Sequence, residues 1–318
     1  MQLSLPEIIV IGGGVVDIPL SPVGPEIFEN GSTPLERIAM GVGGDAVNES
    51  IILSRLGHPA ALVSKVGQDA PGDFLLQKLR EAGVDTGCVV RETGLDTGIN
   101  IVLVRPDGER GFVTNRNGSL RRLGLSDILP ALDAPVLRNA RIACLASLFV
   151  SPMLTLADTV TLFDALKARG LVLCADTTRP KHGETLREAG PALSRLDYFF
   201  PNLEEASALT GESAPDAVAD ALLDSGVDCV AIKLGREGCL LASRAERRLV
   251  PAVPGIVPTD TTGAGDTFAA AFQAALLEKR SLLDCARFAC AAASLCVERV
   301  GAISGDWNRN DVLDRCGQ

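Results

Sequence analysis

Ile8-Ile9-Val10-Ile11 is a continuous apolar run that stops at Gly12-Gly13-Gly14. Unbroken apolar runs of that length predict a strand buried on both faces, followed here by a tight turn. Val15-Val16-Asp17-Ile18-Pro19 then continues as extended chain, with a strand expected near 16–22 and another near 35–41. An amphipathic helix runs through Leu56-Gly57, a strand covers Ala61–Gly67, and a helix covers Gly72–Ala82. Ile99–Arg105 and Arg110–Thr114 flank Pro106-Asp107-Gly108-Glu109, a hairpin signal with Asp-Gly at the turn. From Ala140 onward short apolar runs (Ile142–Leu148, Leu171–Ala175, Tyr198–Phe200, Cys229–Leu234, Gly238–Ala242) alternate with helical stretches. Those stretches fall near 152–169, 183–194, 203–210, 214–225, 267–278, 281–299 and 309–316. Strand–helix alternation predicts a parallel sheet covered on both faces, with functional groups gathered at the carboxyl ends of its strands.

Composition narrows this picture. The length suits one large α/β domain, and no repeat or long linker divides it. Aromatic residues are few, so Ala, Leu, Val and Ile must fill the core. A net charge of −10 argues against a nucleic-acid partner. No apolar run approaches membrane-spanning length and the first residues lack a basic, cleavable leader pattern, so a soluble cytoplasmic protein is expected. The nine cysteines show no Cys-x-x-Cys spacing and lie mostly in apolar contexts, which predicts buried thiols rather than disulfides or a zinc site. His58 precedes Pro59 in a turn and is expected on the surface. Gly12-Gly13-Gly14 lacks the G-x-G-x-x-G helix start of a dinucleotide site, which disfavours an NAD-dependent oxidoreductase.

The chemistry concentrates in Asp260-Thr261-Thr262-Gly263-Ala264-Gly265-Asp266, set before an alanine-rich helical run. Small residues at a helix start leave the first amides facing outward with the positive end of the helix dipole behind them, an arrangement that binds phosphate. A carboxylate beside such a site makes sense if Asp266 takes a proton from a hydroxyl attacking the bound phosphate. An ordinary capping aspartate is the alternative.

This stretch resembles the C-terminal signature of the PfkB (ribokinase-like) family of ATP-dependent carbohydrate and nucleoside kinases, and further blocks follow in the family's order over nearly the whole chain. The resemblance implies a ribokinase-like three-layer α/β/α fold with a mostly parallel central sheet. It also implies one kinase domain, 1–318, carrying a small β-sheet lid from segments near 16–41 and 96–116. Asp17 matches an aspartate that hydrogen-bonds sugar hydroxyls, unless it is a plain turn residue. Gly43, Gly44 and Asn48 match a substrate-binding Gly-Gly-x-x-x-Asn block, with a solvent-facing Asn48 as the alternative. Gly67, Asp69 and Gly72 resemble the family's Gly-x-Asp-x-x-Gly region. Asp176-Thr-Thr-Arg179 resembles an Asp-x-Asn-x-Arg motif but carries Thr178 where Asn is usual. Arg179 is therefore a candidate for phosphate or an acidic sugar, or a surface arginine.

Asn202 and Glu205 match the family's Asn-x-x-Glu motif, which implies ATP binding and hydrated Mg²⁺, and the same spacing makes a capping box. Lys233, Gly235 and Gly238 resemble the strand and turn lining the ATP site; Lys233 faces the phosphates or solvent. Asp260 and Thr262, with carbonyls from a loop containing Val300-Gly301-Ala302, match a K⁺ site that stimulates many relatives. The implied reaction moves the γ-phosphate of ATP to a hydroxyl of a sugar-like substrate, with Asp266 as base and the Gly263, Ala264 and Gly265 amides stabilising the transferred group. A nucleoside kinase and a catalytically silent sugar or nucleotide sensor are the alternatives. A homodimer through the lid is also expected, because Ile99, Ile101 and Leu103 alternate along one face of an otherwise open sheet.

Overall fold

The apolar runs become strands and the periodic stretches become helices in the computed structural model, which describes residues 5–105 and 109–317. The first half contains β1 (Ile8–Ile11), β2 (Val15–Ser21), β3 (Arg37–Ile38), β4 (Gly41–Gly43), α1 (Asp45–Arg55), β5 (Ala60–Gly67), α2 (Ala70–Glu81), β6 (Val89–Glu92), β7 (Gly98–Val104), β8 (Arg110–Thr114) and α3 (Leu125–Ala131). Then come β9 (Ile142–Leu148), α4 (Leu156–Lys167), β10 (Val172–Thr177), α5 (Leu186–Leu193), β11 (Tyr198–Phe199), α6 (Leu203–Thr210), α7 (Pro215–Asp224), β12 (Cys229–Lys233), β13 (Cys239–Ser243) and β14 (Arg247–Val250). The chain finishes with α8 (Ala264–Leu277), α9 (Leu282–Val297) and α10 (Arg309–Cys316). Of the expected hairpin turn, Pro106, Asp107 and Gly108 lie outside the described residues.

The large sheet has the order β14-β13-β12-β11-β10-β9-β1-β5-β6. It is parallel from β6 to β12, and β13 and β14 add an antiparallel edge that strand–helix alternation did not foretell. β1 lies at its centre, with Val10 opposite Leu62 of β5 and Cys144 of β9. Successive side chains point to opposite faces of a strand. Accordingly Ile8 and Val10 join the core beneath α1, α2, α8 and α9, while Ile9 and Ile11 join the one beneath α3 to α7. That double burial is why the run is apolar throughout and why the fold has three layers. Alanines on α8 and α9 leave room for the few aromatics, and Tyr198, Phe200, Phe268 and Phe272 form one ring cluster under the sheet.

A second sheet of five strands has the order β3-β2-β7-β8, with β4 also paired to β2. Cross-strand pairing puts Asp17, Asn100 and Thr114 on one face, which by alternation also carries Arg110. Ile18, Ile101 and Val113 share the other.

Several boundaries differ from the sequence expectations. The strand expected near 35–41 is two short ones, β3 and β4. Helix α2 starts at Ala70 because Asp69 caps it, accepting from the Gly72 amide at 2.9 Å. The exposed edge strands β6 and β14 and the short, Pro130-containing α3 carry too little apolar pattern to be read from sequence. His58 is not a surface loop residue: its half-buried ring lies 3.2 Å from Glu7 and 3.5 Å from Glu278. Of the nine cysteines all but Cys316 are buried, as the apolar context of most of them predicted. Among the described residues no helix is long and apolar enough to cross a membrane.

Candidate active site

The turn before α8 is built around glycine. Gly263 takes φ +77°, and a Cβ there would lie 2.5 Å from Ala302 Cα. Only glycine fits both the left-handed backbone and the space. Gly263 is also the N-cap and has no side chain to satisfy the first-turn amides; Ala264 N donates to Thr261 O at 3.2 Å, and the Gly265 amide is left to face an anion. Asp266 follows in that turn, half-buried, and Asn48 of α1 donates to its Oδ2 at 2.7 Å. Burial pushes the Asp266 carboxyl well above the ordinary carboxylate range. The charges of Asp45 and Asp176 add to that push, while Asn48 and Lys233 pull the other way. A carboxylate so tuned binds a proton more strongly than a free aspartate does, which suits a base.

Asn48 is therefore not solvent-facing; it is buried, and its Oδ1 has no partner among the described residues. Beside it Gly44 takes φ +96°, a conformation that brings the start of α1 against Gly13. The Asp17 carboxylate covers the Cα of Gly43 and accepts from Asn100 at 3.0 Å. Burial raises its pKa, Asn100 lowers it, and the Asp45 charge raises it again. Asp45 itself accepts from Ser147 Oγ at the carboxyl end of β9. Ser147 and Phe149 there have φ +77° and +68°, the kind of strained backbone that collects at functional sites.

Lys233 does not reach solvent. Its Nζ donates to both Asp176 oxygens, at 2.9 and 2.7 Å, and lies beside Gly265. Burial would lower the pKa of this ammonium, but the charges of Asp176 and Glu205 hold it above its usual value. Lys233 thus brings a fixed positive charge to the anion turn. Asn202 and Glu205 do form the capping box: Glu205 N donates to Asn202 Oδ1 at 2.8 Å and Asn202 N to Glu205 Oε2 at 2.9 Å. Burial pushes the Glu205 carboxyl up to about 7, against the pull of Lys233. Arg179 is set apart from this group, with a side chain 70% exposed and 3.4 Å from Glu204.

Next to the anion turn is a cavity of about 510 Å³ lined by Lys233, Gly235, Gly238 and Gly265, with Ile256 and Val297 in its apolar wall. A volume of that size with a few polar groups on one side suits a nucleotide-sized ligand. Asn202 is not among its lining residues.

Four contributors were not singled out from the sequence. Asp45 and Ser147 meet from distant segments, and nothing local marks either. Asn100 is legible as a polar residue on an apolar strand. Arg110 heads the second hairpin strand, yet its side chain reaches Asp260 at 2.7 Å and Thr262 Oγ1 across the chain. A fifth, Glu49, is wholly buried behind Asn48 and accepts from Gln273 at 3.0 Å, and burial raises its pKa so that it favours the neutral acid.

The architecture is ribokinase-like. The structure of Arabidopsis thaliana ribokinase complexed with ribose and ATP superposes with a TM-score of 0.83 at 27% identity, covering 98% of this chain and 99% of that one. In sequence, the Arabidopsis thaliana ribokinase is 31% identical over 85% of this chain and 71% of its own length. Fructokinase-1 of Zea mays is 29% identical over 85% and 87%. The family model described as pfkB family carbohydrate kinase matches residues 6–309, and the chain belongs to that family. It is an ATP-dependent carbohydrate kinase.

Proposed function

We propose that the protein transfers the γ-phosphoryl group of ATP to a hydroxyl of a neutral sugar or sugar-like substrate, with Asp266 as general base. The observation that carries this reading is the Asp266 carboxylate held by Asn48 at 2.7 Å, at the start of α8 and one residue from Gly265. The Gly263 and Gly265 amides stabilise charge on the transferring group, with Ala264 N held by Thr261 O, and Lys233 adds its ammonium beside them. Asp17, with Gly43 and Gly44 beneath it, accepts substrate hydroxyls. Asn48 orients the base through Nδ2, at the place where the substrate hydroxyl must meet Asp266. ATP fills the cavity at Lys233, Gly235, Gly238 and Gly265. The small sheet closes over the sugar as a lid, its Asp17 face inward.

A divalent cation supplies charge neutralisation of the triphosphate when bound. Glu205 fits hydrated Mg²⁺ in chemistry, being a carboxylate that burial leaves wanting a positive neighbour, and Asn202 fixes it through the capping box. For K⁺ the donor set does not fit as it stands. Asp260 Oδ1 already accepts from Arg110 and the Thr262 amide, and Oδ2 from the Gly301 amide. Arg179, exposed and paired to Glu204, is given no role.

A thermal-shift and ADP-release screen over pentoses, hexoses, keto-acid sugars and nucleosides tests this reading. A sugar that both raises the melting temperature and releases ADP is expected. A nucleoside hit alone would move the substrate class, and stabilisation without ADP would make the protein a sensor.

Dimerisation through the lid is supported by its outer face, where Ile38 and Val113 are 65% and 56% exposed opposite Leu20 and Ile101. Ile99, at the near end, is half-buried against the core instead. Light scattering at micromolar concentration is expected to give twice the 33.2 kDa chain mass; the chain mass itself would contradict the dimer.

A further inference from the structure

We propose that Arg110 is the built-in cation of the Asp260–Thr262 loop, replacing a bound monovalent ion and latching the small sheet to the phosphate-binding turn. The inference rests on the kinase reading above only for its catalytic consequence.

Asp260 is a buried carboxylate that starts the segment running into Gly263. Its charge has to be balanced, because an ionised carboxylate away from water is costly without a positive partner. Arg110 supplies that partner. Its guanidinium lies 2.7 Å from Asp260 Oδ1 and also donates to Thr262 Oγ1, two contacts from one planar group. Burial would raise the Asp260 carboxyl, but the Arg110 hydrogen bond and the Thr262 and Gly301 amides hold it below the ordinary range. The nearby carbonyls are engaged too. Thr262 O and Ala302 O converge on the Cys296 thiol at 3.5 and 3.4 Å. A thiol is only a weak donor, so both carbonyls can serve a cation once Arg110 is removed.

The route Arg110 takes gives it a second consequence. β8 is an edge strand of the small sheet, and Arg110 shares the face of that sheet that carries Asp17 and Asn100. One face therefore presents Asp17 over the glycine pair and, on another strand, Arg110 to the loop that shapes the anion turn. Closing the sheet over substrate and neutralising Asp260 become the same event. Arg110 is a positioning residue in this scheme: it fixes Asp260 and Thr262, and through them the turn at Gly263.

The test compares melting temperatures in K⁺ and Na⁺ at equal ionic strength for the wild type, Arg110→Gln and Arg110→Lys, followed by sugar kinetics in both salts. The wild type and Arg110→Lys are expected to melt alike in the two salts, because a protein cation fills the site. Arg110→Gln, which vacates it, is expected to melt higher in K⁺. In Na⁺ its kcat/KM for sugar should fall about tenfold, as for loss of a charge-assisted contact, and K⁺ should recover part of that loss. The melting arm needs no turnover, so it stands even if no sugar is phosphorylated. Stabilisation of the wild type by K⁺, or an Arg110→Gln variant indifferent to both salts, would overturn the proposal.

Discussion

Asp266→Asn is expected to lower kcat by roughly two to four orders of magnitude, the usual span for loss of a positioned general base. The substitution keeps the shape, and its Oδ1 can still accept from Asn48 Nδ2, so the geometry of the site persists. ATP affinity should hold or tighten, since one negative charge beside the phosphates is gone. Gly263, not Asp266, is the N-cap of α8, so the substitution removes no cap and folding does not suffer. The pH dependence follows from the raised pKa. The base works only when deprotonated, so the rising limb of kcat should lie above the range of a free aspartate. For stability the sign is the reverse. Folding favours the protonated carboxyl, so the stability it contributes is lost as pH rises through the folded-state pKa. Asp266→Asn removes that loss and should melt higher than the wild type at alkaline pH. A fully active, unchanged variant would leave Asp266 without a catalytic role.

Gly263→Ala should damage both folding and catalysis. An alanine forced into the left-handed region costs about 1–2 kcal/mol. Its Cβ would also press on the Ala302 backbone at 2.5 Å, and overpacking of that kind adds about 1–3 kcal/mol. Relief of the clash moves the turn, and misplaced oxyanion donors lower kcat about 10²–10³-fold. Gly265→Ala is the control, because its φ is not left-handed and its Cβ would meet side-chain atoms only, the nearest being Lys233 Nζ at 3.1 Å. It should be the milder variant in melting temperature. Equal stability of the two would mean that the turn tolerates a side chain at Gly263.

The centre of the fold was legible because double burial leaves an unmistakable record. β1 is apolar at every position and β9 at all but Ser147, and α8 and α9 carry long Ala-rich stretches. Motif spacing was legible where local geometry forces it, as at the Asn202–Glu205 capping box and the glycine before α8. What stayed hidden was pairing across the chain. Arg110 meets Asp260 and Asn48 meets Asp266 only after the small sheet and α1 have docked, and no local periodicity encodes a partner 218 residues away. Burial of charge was hidden for the same reason. Glu49 lies on a helix whose pattern reads as amphipathic, and only the packing of α8 over it makes it a buried acid.

The central claim is that a phosphoryl group passes from ATP to a sugar hydroxyl at Asp266. Incubation of the wild type and Asp266→Asn with γ-labelled ATP and the best sugar from the screen tests it most directly. The account predicts that the wild type puts the label into an acid-stable sugar phosphoester, one for each ADP formed, while the variant forms almost none. Label appearing only in inorganic phosphate, or equal transfer by both proteins, would contradict it.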